Sequence, residues 1–309
     1  MLKVAVGVVK NERGEVLVTK RAHDVPQGGL WEFPGGKLEL GEDSKQALRR
    51  ELLEELNITV LTATRLIQIK HDYSELSVCL DVYIVDSFKG DVCAMEGQPT
   101  RWVVTSDLER SSFPVANLTI IEALNLPRYY PIIDDSIGNE QAMLCHLERL
   151  IDCGHTQFQL RAKSFSKERY KGLAEEAIKM CKEKGARLFV NAPIEDALEI
   201  GAEGVHLTAS DMSGIKNKST LPEGLLFAAS CHNQEELQMA SDLGVLFAVL
   251  SPVCKTQTHV DVEPLGWGEF ERLADHAWLP VFALGGLGPE DINQAQSKGA
   301  MGVAGIRAF

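Results

Sequence analysis

Two rhythms of apolar and polar positions divide the chain. Over the first 127 residues, runs with a two-residue period (Lys3–Val9, Glu15–Lys20 and the longer Leu76–Phe88) predict strands, the first two joined by the turn Asn11-Glu12-Arg13-Gly14. Asp43–Asn57 instead repeats like a helix. Its leucines 48, 52 and 56 fall four apart, and Asp43 and Gln46 stand where a capping box needs them. Val103–Ser106 begins a further element, and Leu118–Leu124 predicts a closing helix. After Leu126-Pro127, short apolar runs alternate with helical ones. Tyr129–Ile133, Phe158–Leu160, Leu188–Val190, Gly204–Leu207, Leu226–Ala229, Val245–Leu250, Val281–Ala283 and Gly302–Ala304 read as strands, with Lys167–Lys184 and Gln234–Leu243 among the helices between them. Eight strands in βα alternation predict a parallel (β/α)₈ barrel. Phe309 follows the eighth strand so closely that most of the last outer helix is expected to be lacking. Apolar surface there would then need cover from the first domain or a second copy. The expectation is a two-domain protein combining α/β and α+β classes: a mixed-sheet domain over 1–127 and a barrel over 128–309.

Composition narrows the function classes. Hydrophobic residues at 45% and charged residues at 24% suit a globular protein, and no apolar run is long enough to span a bilayer. The first residues turn polar at Asn11, unlike a secretory leader. Seven cysteines without a CxxC pair point to a reducing cytoplasm and mostly buried free thiols. The net charge is −13, and both halves are acidic: 14 basic and 19 acidic side chains to Pro127, then 17 and 25. That balance argues against long nucleic acids as partners but allows a small anionic substrate bridged by a cation. A homodimer is compatible with the sequence.

The most informative stretch is WEFPGGKLELGEDSKQALRRELLEELNI, residues 31–58. Glu51, Glu54 and Glu55 are spaced i, i+3, i+4, so they share an arc of roughly 100° beside the leucine stripe. Their mutual repulsion costs about 0.2–0.5 kcal/mol per pair on an exposed helix. A solvated acidic face would tolerate that. The company is more specific: Gly35-Gly36 lets backbone approach a ligand, and Arg50 can orient a carboxylate by a two-pronged contact. Hard oxygens on one rigid helix suit Mg²⁺ together with a diphosphate.

This segment resembles the Nudix box, G-x5-E-x7-R-E-U-x-E-E-x-G-U with U apolar, through Gly36, Glu42, Arg50, Glu51, Leu52, Glu54, Glu55 and Ile58. Asn57 replaces the last glycine and can take left-handed backbone as a C-cap. Phe33-Pro34-Gly35-Gly36, Gly97-Gln98-Pro99 with Trp102, and Phe113-Pro114-x-Ala116-Asn117 extend the likeness to the MutT branch over residues 1–127. The resemblance implies a Nudix α/β/α sandwich that uses Mg²⁺, or Mn²⁺, to hydrolyse oxidised purine triphosphates such as 8-oxo-dGTP to monophosphate and pyrophosphate, a nucleotide-pool sanitation linked to DNA repair. It implies that Glu51, Glu54, Glu55, the Gly36 backbone and Glu96 hold the metal, with Arg50 completing the catalytic set. Arg21 would contact phosphates, and Asn117, with the backbone near Phe33 and Gly35-Gly36, would hold the base. Glu51 and Glu96 are both candidates for the general base. The plainer readings are a helix cap for Asn117, a solvated loop residue for Glu96, a surface cation for Arg21 and core rings for Trp31 and Phe33.

The second half resembles the thiamine phosphate synthase/TenI barrels. Gln159-Leu160-Arg161-Ala162-Lys163, Gly204-Val205-His206-Leu207 with Asp211, Ser230-Cys231-His232, Thr256-Gln257-Thr258-His259, Ala283-Leu284-Gly285-Gly286 and Gly302-Val303-Ala304-Gly305 carry the likeness. A phosphate or ligand pocket is expected from Arg161, Lys163, Asn191, Asp211, Ser230, Thr256, Thr258, Gly285, Gly286 and Gly305, with glycine N–H groups at the strand exits. The match departs where catalysis would live. Ala192 stands where the family pattern has a metal-binding Asp, His259 where it has Lys, and Ala162 where it has Glu. Pro252 stands where the tautomerase pattern wants His. A binding or degenerate barrel, a synthase and a tautomerase all stay open, and a thiamine-related phosphate is the expected ligand. The barrel's ancestry also admits thiamine-pathway pyrophosphates as alternative substrates of the hydrolase, and a ligand-sensing barrel that regulates it. His206 and His232 read more simply as structural histidines.

Overall fold

The structure is a computed structural model that describes residues 1–72, 77–256 and 263–309. The chain forms two compact units, Met1–Leu126 and Pro127–Phe309. Among the described residues no helix is long and apolar enough to cross a membrane.

The first unit contains strands β1 (Leu2–Val9), β2 (Val16–Lys20), β3 (Trp31–Glu32) and β4 (Gly35–Lys37), then helix α1 (Ser44–Leu56). Strands β5 (Thr59–Asp72), β6 (Ser77–Lys89) and β7 (Thr100–Val103) follow, and helix α2 (Val115–Leu124) closes it. One sheet has the order β4-β1-β6-β5 and the other β3-β2-β7. Strands β1 and β6 run parallel while β4 and β5 pair antiparallel at the flanks, so the sheet is mixed. Leu48, Leu52 and Leu56 of α1 are fully buried with Ala5, Val9, Leu17, Tyr83 and Val85, the stripe that the four-residue spacing predicts. Both ends of α1 are set by side chains: Asp43 and Gln46 form the capping box, and Asn57 ends the helix at φ 57°. The expected start of β6 at Leu76 lies outside the described residues. Helix α2 begins earlier than the apolar pattern suggests, at Val115, because Pro114 in the cap position suits the entry to a first turn.

The second unit is a closed barrel. Its strands are β8 (Tyr129–Asp134), β9 (Gln157–Arg161), β10 (Arg187–Val190), β11 (Gly204–Leu207), β12 (Leu226–Cys231), β13 (Phe247–Leu250), β14 (Val281–Ala283) and β15 (Gly302–Gly305). They pair in parallel all the way round, with β15 closing on β8. Helices α3 (Glu140–Asp152), α4 (Lys167–Glu183), α5 (Ile194–Glu199), α6 (Ala209–Gly214), α7 (Gln234–Asp242), α8 (Gly266–Asp275) and α9 (Ile292–Ser297) alternate with the strands. Rings fill the interior: Phe247 lies 4.9–5.3 Å, centroid to centroid, from Tyr130, Phe189 and Phe282, and all four are fully buried. Among the described residues no helix follows β15. Instead Phe309 packs edge-on against Tyr129 and His155, so part of the outer surface expected to be covered by the first domain or a second copy is covered by the chain's own last residue. All seven cysteines are free, as expected, yet only Cys79, Cys181 and Cys231 are buried. Cys93, Cys145 and Cys153 are exposed, which corrects the expectation of mostly buried thiols.

Candidate active site

In the first unit the site is built where β4 meets α1. Strand β4 lies beside β1 so tightly that a Cβ at Gly35 would fall 2.1 Å from the Ala5 carbonyl oxygen. A Cβ at Gly36 would fall 2.1 Å from the Glu51 carboxyl group, so only glycine lets that carboxylate lie on the β4 backbone. Arg50 fixes the same carboxylate from the other side. It donates to both oxygens of Glu42 at 2.9 Å, to the Lys37 carbonyl at 3.0 Å and to Glu54 at 3.2 Å, and pairs with Glu51 at 3.0 Å. Glu42 is held down to about 2 by that hydrogen bonding. Glu42, the first glutamate of the box, is therefore an anchor for Arg50, a role its spacing alone did not reveal.

Glu55 is the electrostatic centre. Burial and the carboxylates of Glu51, Glu96 and Glu32 push it up to about 8, against a backbone hydrogen bond from Gly35. Glu96 reaches the cluster because its loop docks on the end of α1. Met95 N–H donates to the Glu55 carbonyl at 2.9 Å, Gln98 Nε2 donates to the same carbonyl at 3.3 Å, and Gln98 Oε1 accepts from Glu96 N–H at 3.1 Å. Glu32 was missed by sequence reasoning, and its place in strand pairing with Thr19, beside Arg21, would have been the signal. Among the described residues no three acidic, His or Cys side chains converge tightly enough to close on a cation. Glu54 is turned towards Arg50, 3.2 Å away, and its side chain is 60% exposed. The donor set still fits a hard divalent cation: carboxylate oxygens and a bare glycine backbone lie beside the half-buried Glu55, whose carboxyl is raised by burial and by its acidic neighbours.

The remaining expected residues line up differently. Arg21 is paired with Glu32 and donates through Nε to the Pro26 carbonyl at 3.2 Å. Burial outweighs that pairing and leaves Glu32 raised. Asn117 and Phe33 do come together: Asn117 Oδ1 accepts from Phe33 N–H at 3.3 Å, and the Phe33 ring packs 5.8 Å from Phe113. Asn117 lies inside the first turn of α2, and its side chain does not cap that helix.

In the barrel a cavity of about 550 Å³ opens at the strand exits. Arg161, Lys163, Asn191, Ser230, Thr256, Gly285, Gly286 and Gly305 line it. Asp211 does not. It is the third helical residue of α6, where its carboxylate accepts from Thr208 N–H at 2.8 Å and from the Thr208 hydroxyl at 2.7 Å in a capping box. Thr258, with Gln257 and His259, lies outside the described residues. Gly285 at φ 112° and Gly286 at φ 66° need glycine, the second also because a Cβ would sit 2.6 Å from the Lys255 carbonyl oxygen. Arg161 is paired with the buried Asp134. Lys255, Arg307 and Glu290 also line the cavity and escaped the motif reading, and His232, which the sequence placed in a motif but read as structural, lines it too. His232 is tied to Glu236 at 2.9 Å, and His206 is fully buried.

Comparison with known proteins agrees with this two-part layout. Residues 5–123 match the family described as NUDIX domain, and residues 129–309 the family described as thiamine monophosphate synthase. The 8-oxo-dGTP diphosphatase of Escherichia coli is 36% identical over 123 residues, which is 40% of this chain and 95% of that protein. A putative thiamine-phosphate synthase 2 of Aquifex aeolicus is 32% identical over 186 residues, 60% of this chain and 99% of that protein. Thiamine phosphate pyrophosphorylase from Pyrococcus furiosus shares the barrel fold with a TM-score of 0.50 at 22% identity, over 58% of this chain and 85% of that one. The chain therefore belongs to two families at once, joining a Nudix hydrolase domain to a barrel of the thiamine monophosphate synthase family.

Proposed function

We propose that the first domain is a Mg²⁺-dependent pyrophosphohydrolase that converts oxidised purine nucleoside triphosphates, 8-oxo-dGTP foremost, to the monophosphate and pyrophosphate. One observation carries this reading: Glu55 is enclosed among Glu51, Glu96 and Glu32 against the Gly35-Gly36 backbone, with Arg50 fixing the flank. Glu51, Glu54, Glu55, Glu96 and the Gly36 carbonyl would hold the cation, with Mn²⁺ as a substitute. When bound, it neutralises the phosphate chain and acidifies the attacking water. The chain's own residues do the rest. Arg50 orients Glu51, and Glu51 or Glu96 takes the proton from the water as it attacks phosphorus. Arg21 is released from Glu32 to meet the phosphates. Asn117 reads the purine edge, where a side-chain amide can both donate and accept. A rate panel with Mg²⁺ and 8-oxo-dGTP, dGTP, methylated nucleotides and thiamine diphosphate tests the assignment. Preference for 8-oxo-dGTP supports it, and preference for thiamine diphosphate replaces it with a thiamine-pathway hydrolase.

For the barrel we infer a binding site for a phosphorylated thiamine-related molecule. The cavity offers Lys163, Lys255 and Arg307 together with glycine backbone at two strand exits. A synthase reading has the retained cavity in its favour. Against it stand Ala192, which offers no carboxylate, and Asp211, whose carboxylate is spent on Thr208. Incubation with a pyrimidine diphosphate and a thiazole phosphate decides between them: no thiamine phosphate forms if the barrel only binds.

A further inference from the structure

A polar thread crosses the otherwise aromatic interior of the barrel. The Tyr130 hydroxyl lies 3.1 Å from His206 Nδ1, and His206 Nε2 lies 2.9 Å from Ser230 Oγ. Asn191 Nδ2 pins the backbone by donating to the His206 carbonyl at 2.9 Å. Tyr130 and His206 are 0% and 1% exposed, and the rings of Phe189, Phe247 and Phe282 surround the phenol. Ser230 is half-buried and lines the cavity. The thread thus has one closed end and one open end.

With His206 neutral, its protons can be arranged in two ways. In the first, Tyr130 O–H donates to Nδ1, Nε2–H donates to Ser230 Oγ, and the serine proton is turned into the cavity. In the second, Ser230 O–H donates to Nε2 and Nδ1–H donates to the Tyr130 oxygen. The phenol proton is then left among phenylalanine rings with nothing to accept it. A donor stranded in an apolar interior costs far more than one at an open end, where water or a ligand accepts. The first arrangement therefore prevails. The doubly protonated ring is not a competitor, since burial and the charge of Arg161 push His206 down to about 3.

We propose that Tyr130 and His206 are positioning residues that hold Ser230 as a hydrogen-bond donor aimed into the barrel cavity, so that the site selects a ligand presenting an acceptor oxygen there, as a phosphate ester does. Neither residue touches the ligand. The choice of ligand rests on the barrel reading given above, while the orientation of the thread does not.

The test uses the full chain and two readouts. Long-range ¹H–¹⁵N spectra of the imidazoles report the tautomer, and calorimetry with thiamine phosphate as probe reports binding. The expected wild-type result is the Nε2–H tautomer at His206, unchanged from about pH 5 to about pH 9, where an ordinary histidine would titrate. Tyr130→Phe removes the proton that selects the tautomer. Both tautomers should then be populated, and affinity should fall about tenfold, the scale of one hydrogen bond, towards that of Ser230→Ala. A tyrosine that served only packing would lower the melting temperature and leave the tautomer alone. An Nδ1–H tautomer in the wild type overturns the proposal, as does a Tyr130→Phe protein with wild-type tautomer and affinity. If the wild type does not bind thiamine phosphate, the ligand reading falls, and the spectra still decide the thread.

Discussion

The two candidate sites gather opposite charge within an acidic protein. The Nudix site gathers Glu32, Glu51 and Glu96 around the half-buried Glu55 carboxyl, so that on the proposed reading phosphate enters together with a cation. The barrel cavity presents Arg161, Lys163, Lys255 and Arg307, with Glu290 its one acidic lining residue among those described. The first needs helical register, because three carboxylates must share one arc. The second needs strand ends and two glycines with positive φ, because backbone must face the ligand. On the proposed reading the first site is switched by its metal, whereas the second needs none.

The largest effect should come from separating the two by metal. Chelation of divalent cations is expected to abolish nucleotide hydrolysis while thiamine phosphate binding, followed by calorimetry, stays unchanged. Parallel loss of both would break the comparison. Next, Glu51→Gln should lower kcat by about 10²–10⁴, the span expected for a proton acceptor, without altering the barrel. Gly36→Ala drives a methyl into the Glu51 carboxyl, so a kcat loss on the order of 10² is expected with the fold retained by circular dichroism. Asn117→Ala should raise KM for 8-oxo-dGTP by about tenfold, the scale of one hydrogen bond, and leave any thiamine diphosphate turnover unaffected. The smallest effect is in stability. Glu55 is raised from an ordinary value near 4.5 to about 8, so the folded state holds this proton more tightly than the unfolded chain. That stabilisation is complete below about pH 4.5 and is lost as pH climbs towards 8. The metal-free melting temperature should fall across that window, and Mg²⁺ should flatten the dependence.

The sequence and the structure part company for physical reasons. Helix α1 was legible to its caps, since Asp43, Gln46, the leucine stripe and Asn57 all act locally. The barrel strands were legible because each is a short apolar run between helices. Strand β5 was not read at all. Its register slips between Val60 and Thr62, Thr62 and Thr64, and Arg65 and Ile67, and each slip breaks the two-residue period that betrays a strand. Within the sites, residues on one element were grouped by their spacing, Glu96 and Asn117 were reached only through the family resemblance, and other residues brought in by tertiary pairing were missed. Glu32 reaches the acidic cluster through sheet pairing, and Lys255 and Arg307 reach the cavity through loop closure. Asp211 shows the converse. Its position in a motif suggested a ligand contact, yet Thr208 three residues earlier offers a cap that claims its carboxylate.

Hydrolysis of 8-oxo-dGTP in Mg²⁺ by the parent protein, Glu54→Gln and Glu55→Gln, measured side by side, bears most directly on the claim that a metal-loaded carboxylate cluster on α1 cleaves the diphosphate. A fall of at least about 10² in kcat is expected for each variant, with melting temperature maintained. Turnover equal to the parent in both would contradict it.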